Sequence, residues 1–168
     1  MGKQPQPART QQRETISAPS RDLGLLPERV RAMRDLILEA AQSGDIEELR
    51  PAIERNETLP IFSTGAERPR TFADAIDFLK KRSFDGQGRE TLAIVAAIFE
   101  QSYVKITRGP AVTYEWPAFG KEHSDDERRE IWRCMRFADL ASSTDAPPKI
   151  ERIGVGADGT WHYFVAGD

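Results

Sequence analysis

The chain has 168 residues, 39% of them hydrophobic and 30% charged, with a formal net charge of −3. That length and balance suit one soluble globular domain able to bury a core without disulfide or metal support. The mixed, slightly acidic charge argues against a nucleic-acid binder, which needs a basic face, and no apolar run approaches the roughly 18 residues of a membrane span.

Residues 1–20, MGKQPQPARTQQRETISAPS, hold three prolines, four glutamines and almost no large apolar groups. This composition predicts a disordered or linker tail. It lacks the apolar stretch of a signal peptide, so it reads either as a native flexible arm or as the segment left after a signal is removed. Residues 21–168 are the predicted single domain. As the chain stands it reads as cytoplasmic.

The domain opens with LLPERVRAMRDLILEAAQSGD, where Leu26, Val30, Met33, Ile37 and Ala40 fall on one helical face, with Gly44 at the end. Asp45, with Glu48 three residues on, starts a second helix that Pro51 is expected to kink or split. The stretch AAQSGDIEELRPAI looks like one ankyrin-type unit, but nothing repeats it, and one such unit cannot bury its own face. RTFADAIDFLKKRS is a third amphipathic helix ending in three cations, which suit a helix C-terminus. GRETLAIVAAIFEQ is apolar on several sides and is expected at the centre of the core.

SYVKITR and AVTYEW, joined by Gly109-Pro110, predict a hairpin. SDDERREIWRCMRFADLA predicts a helix capped by Ser124 with acidic residues in its first turn. Cys134 lies there among apolar neighbours and reads as a small buried hydrophobe. The last stretch, IERIGVGADGTWHYFVA, is two alternating runs joined by Asp158-Gly159, the signature of a two-residue hairpin loop with positive φ angles. Pairing outward from that loop sets Gly156 against Trp161, Val155 against His162, Gly154 against Tyr163 and Ile153 against Phe164. His162 would then share an apolar row with Ile153, Val155 and Phe164. Gly154 and Gly156 would seat aromatic rings. The fold class is therefore α+β: about five helices on a small antiparallel sheet made of two hairpins, 102–116 and 149–166.

Several motifs invite chemistry. Gly154, Gly156 and Gly159 match G-x-G-x-x-G, but a dinucleotide fingerprint must open a helix, and here the next residues are β-branched and aromatic. SFDGQGRETL puts glycines before a helix N-terminus, an anion-binding layout, yet it lacks the Lys-Ser or Lys-Thr of a phosphate loop. EHSDDE gathers His123, Asp125, Asp126 and Glu127 without a metal-binding spacing, and reads as capping and helix-dipole partners. No metal and no cofactor is expected.

YEWPAF places Tyr114, Trp116 and Phe119 around Pro117, either as a core edge or as an aromatic lip for a protein, peptide or small-molecule ligand. On the second reading the protein is a non-enzymatic binding or interaction module. The alternative is a small pocket enzyme of hydrolase or isomerase type, with a layout like the nuclear transport factor 2 cone. It would use His162 as acid–base group with Glu115 as its acid, and it requires the two hairpins to lie side by side.

RAMRDLILEAAQSGDIEELRP, SFDGQGRETLAI, YEWPAF and GVGADGTWHYFVAGD together resemble an uncharacterised bacterial family without an assigned activity. The resemblance spans nearly all of residues 25–168, and the C-terminal stretch is its most specific part. It departs from the family pattern at IWRCMRFADLASSTDAPPKIERI. Members look like exported proteins, so the resemblance implies an envelope location. It carries over no catalytic residues.

Overall fold

The computed structural model describes residues 12–120, 122–142 and 149–166. Among them five strands form one antiparallel sheet in simple sequence order: β1 (Glu14–Ile16), β2 (Val104–Arg108), β3 (Ala111–Trp116), β4 (Glu151–Gly156) and β5 (Trp161–Ala166). Six helices accompany it: α1 (Glu28–Ser43), α2 (Arg50–Glu54), α3 (Phe72–Arg82), α4 (Arg89–Phe99), α5 (Asp125–Arg133) and α6 (Phe137–Ser142). The α+β class and the closing hairpin are as the sequence predicts.

Local signals place the helices. α1 buries Val30, Met33, Ile37, Ala40 and Ala41 and ends at Gly44, whose left-handed φ of 77° suits a residue without a Cβ. Asp45 accepts from the Glu47 N–H, and Pro51 sits in the first turn of the short α2, directly after a 3₁₀ turn at Ile46–Leu49. α4 is the central helix, with Leu92, Ile94, Val95, Ala97, Ile98 and Phe99 all buried. Ser124 and Glu127 close a reciprocal capping box at the start of α5.

Residues 12–20 correct the tail expectation. β1 pairs with β2, and Ser20 exchanges two backbone hydrogen bonds with Tyr103, at 2.8 and 2.9 Å. Every side chain from 12 to 19 is nevertheless exposed. The arm is held on the free edge of β2 mainly by its backbone, with the Ser17 hydroxyl accepting the Lys105 N–H at 2.9 Å and Glu14 pairing with Arg108, which composition cannot reveal. Residues 1–11 of the predicted tail lie outside the described residues.

The hairpins lie side by side through the β3–β4 pairing, which sets Glu115 against Gly154 and Trp116 against Ile153. The β4–β5 register agrees with expectation at Ile153–Phe164 and Gly154–Tyr163, and then slips. Val155 faces Trp161, leaving His162 as an extra residue in a β-bulge. The physical cause is the turn. The Gly159 N–H bonds the Gly156 carbonyl at 2.8 Å, and only Gly159, at 88°, has a positive φ there. The loop is thus longer than the two-residue type, and the extra residue is absorbed by the bulge.

The slip has a large consequence for burial. Trp161 enters the core with Ile153, Val155 and Phe164, meeting Phe62 edge-on at 5.4 Å, while His162 is turned out and exposed. The helices cover this face of the sheet, burying Tyr114 and Trp116 as well. At its end stands a buried charge network. The Arg136 guanidinium donates to Glu151 at 2.7 Å and to the Thr91 hydroxyl at 3.0 Å, and Arg82 lies 3.5 Å from the same carboxylate.

Candidate functional site

The helices leave the other face of the sheet uncovered, and the sequence dictates what stands on it. Strand alternation that sends Trp116 and Ile153 inward sends Glu115 and Arg152 outward. Val104, opposite Glu115, shares that outward face. A Cβ on Gly154 would overlap the Tyr163 ring, and one on Gly156 would overlap the His162 imidazole. The two glycines are therefore seats for Tyr163 and His162, rather than for Tyr163 and Trp161.

A cleft of about 580 Å³ and another of about 530 Å³ open near these residues, and they differ in chemistry. The larger runs between α1 and the β4–β5 turn, where His162 stands beside Arg29, Asn56, Asp158 and Thr160. Two of its polar side chains already serve the fold. Asn56 donates to two carbonyls of α2 and accepts the Trp161 N–H at 2.8 Å, while Asp158 accepts the Thr160 N–H at 3.0 Å. That backbone hydrogen bond holds the Asp158 carboxyl below its ordinary value.

The smaller cleft lies on the open face, between the N-terminal arm and the loop leaving β3. Its apolar lining is Ile16, Val104, Pro117, Phe119 and Ile150, with Glu115, His123 and Arg152 as the ionisable groups. The Trp116–Pro117 peptide preceding Phe119 is cis. The half-buried Phe119 ring meets His123 edge-on, centroids 6.4 Å apart.

The Tyr163 hydroxyl donates to Glu115 Oε2. Burial first, and then this carboxylate, push the Tyr163 pKa well above its usual range, so the phenol stays a donor. The Arg152 guanidinium comes no closer than 3.8 Å to Glu115 Oε1, and its side chain makes no hydrogen bond among the described residues. His123 Nδ1 is buried without a hydrogen-bond partner, and its nearest carboxylate, on Glu127, is 3.9 Å away. The cleft thus combines an apolar floor with Arg152 and His123, whose side-chain nitrogens make no hydrogen bond among the described residues.

The residues expected to form an aromatic lip divide between the two faces. Tyr114 and Trp116 are buried under the helices, with Trp116 against Phe99 at 5.3 Å, so neither offers surface to a ligand. Phe119 does line a cleft. His162 and Glu115 are not brought together, although the hairpins are adjacent. Both oxygens of Glu115 face Tyr163 and Arg152, and His162 sits by the Asp158 turn.

The other motifs have structural explanations. In SFDGQGRETL the Asp85 carboxylate accepts from the Arg89 and Glu90 N–H groups, each at 3.2 Å, occupying the place an anion would take at the start of α4. Asp125 pairs with Arg128, and Asp126 with Arg129, while Glu127 serves the capping box. Burial pushes the Cys134 thiol up to about 12, which fits an inert core residue.

Sequence reasoning missed Arg152 and Ile16, and weighed His123 only as a metal ligand. For Arg152 the signal existed, because strict alternation in ERIGV opposes it to Ile153. Compared with protein-family models, curated protein sequences and solved structures, the chain matches none.

Proposed function

We propose that this protein is a non-enzymatic binding module whose ligand occupies the open-face cleft between the N-terminal arm and the β3 exit loop. One observation carries the reading: an apolar floor containing Phe119 lies beside polar groups that lack internal hydrogen bonds, the layout of a small-molecule site. The binding surface around Trp116 is thereby narrowed to Phe119 and its neighbours, with Trp116 as their buried support. The resemblance to an exported bacterial family supports an envelope location for such a module.

Titration with the neutral fluorescent probe N-phenyl-1-naphthylamine tests the reading. Saturable one-to-one binding is expected, weakened about tenfold or more by Phe119→Ala, the loss of one buried aromatic contact, and unchanged by His162→Ala. Failure to saturate, or equal weakening by both variants, would contradict it.

The enzyme reading keeps one supporting observation, the position of His162 beside Asp158 at the larger groove. In that form Asp158 replaces Glu115 as the acid. Any hydrolase or isomerase turnover found for the chain would then have to vanish in His162→Ala and persist in Phe119→Ala.

A further inference from the structure

The chemistry of the open-face cleft also specifies its ligand. We infer that the cleft takes an amphipathic carboxylate, an apolar body lying on Phe119, Val104 and Ile150 with its acid group held by Arg152 and His123. The inference rests on the cleft being the ligand site and adds the class of molecule it selects.

Three observations lead there. Arg152 contributes a guanidinium with no side-chain hydrogen bond among the described residues; its ion pair with Glu115 is long, at 3.8 Å, so its N–H groups can still donate to a ligand. A planar fork of donors matches a carboxylate better than any other common small-molecule group. His123 adds a ring nitrogen with no hydrogen bond, whose nearest carboxylate, on Glu127, is 3.9 Å away. Lastly, the one acid in the cleft is already engaged. Glu115 has Tyr163 on one oxygen and Arg152 facing the other, so it has no free face for a ligand cation.

The apolar part of the ligand is set by the remaining lining. Ile16, Val104, Pro117, Phe119 and Ile150 offer contact to an alkyl chain or an aromatic ring, and the Ser17 hydroxyl beside them is already engaged by the Ala18 carbonyl and the Lys105 N–H. The volume of about 530 Å³ holds a body of that kind.

Three matched probes separate the possibilities: 4-phenylbutyrate, 4-phenylbutanol and 4-phenylbutylamine, each titrated by calorimetry into the full chain at low salt. The acid should bind at least tenfold more tightly than the alcohol, with the amine weakest. Arg152→Gln should bring the acid down to the affinity of the alcohol and leave the alcohol unchanged. Phe119→Ala should weaken acid and alcohol in parallel.

If acid and alcohol bind equally well to the wild type, the carboxylate inference falls and the binding site stands. If the amine binds tightest, Glu115 is the recognition group and the inference is overturned. If none of the three binds, both this inference and the proposed function fall. A circular dichroism spectrum and urea midpoint for Arg152→Gln matching the wild type keep the comparison interpretable. A shifted midpoint would show that Arg152 serves the fold, and would itself overturn its assignment to the ligand.

Discussion

The two faces of the sheet are built from the same strands and do opposite work. Glu115 and Trp116 are consecutive, as are Glu151 and Arg152, and in each pair one residue enters the helix-covered core while the other stands on the open face. On the covered face the buried charges are paired, while Arg34 Nε, Trp116 Nε1 and Glu151 Oε2 make no hydrogen bond among the described residues. Glu151 is fully buried with Arg136 and Arg82 beside it, and Trp116 and Trp161 are packed by rings. On the open face Arg152 and His123 are left without hydrogen bonds beside an apolar floor. On the proposed function, stability and recognition fall to alternate residues of β3 and β4, and substitutions should separate them.

Trp116→Ala, on the covered face, should cost about 3–5 kcal/mol in urea unfolding, as truncation of a fully buried aromatic does. Phe119→Ala, at the open-face cleft and only partly packed on the core, should cost under about 2 kcal/mol while weakening ligand binding about tenfold or more. Equal stability losses would mean that the two faces are not functionally distinct.

Arg136→Met should also cost about 3–5 kcal/mol, because it strands a buried carboxylate. Its dependence on pH has a definite sign. Burial raises the Glu151 carboxyl above its ordinary 4.5, and Arg136 and Arg82 oppose that rise. A raised carboxyl pKa favours the folded state below the unfolded value, and that contribution is lost as pH climbs through the folded pKa. Removing Arg136 raises the carboxyl further, so the deficit of the variant should grow between about pH 4 and pH 7. Urea midpoints across that range give the test, and a deficit that shrinks with rising pH would contradict the assignment.

Gly154→Ala should cost about 1–3 kcal/mol, since the new methyl meets the Tyr163 ring. In a Tyr163→Ala background most of that penalty should disappear, and a double-mutant cycle measures the difference. At the small end, His162→Ala should shift stability by no more than about 0.5 kcal/mol, as an exposed side chain does. Cys134 in the native protein should resist a thiol reagent at neutral pH, with labelling as slow as unfolding.

The sequence made much of this legible. The amphipathic pattern of α1, the all-round apolarity of α4 and the Ser124 capping box arise from side chains acting within a few residues of each other, which a one-dimensional reading captures. The seating of Tyr163 on Gly154 came from simple pairing. The pairing failed one residue closer to the turn, because Asp158-Gly159 also suits a longer loop, and the resulting bulge exchanged the fates of Trp161 and His162. The arm at 12–20 was invisible because it is bound mainly by backbone pairing to β2, with Ser17 and Glu14 adding side-chain contacts. The open-face cleft was only partly visible, since Phe119, Arg152, His123 and Ile16 are joined by tertiary packing between elements far apart in the chain.

The most direct test of the open-face site is an amide chemical-shift map of the isotope-labelled protein titrated with 4-phenylbutyrate. The predicted result is a continuous set of shifts at Val104, Glu115, Ala118, Phe119, Ile150 and Arg152, with Arg29, Asn56 and Thr160 unmoved. Shifts concentrated instead around Asn56, Thr160 and His162, or no saturable shift anywhere, would contradict it.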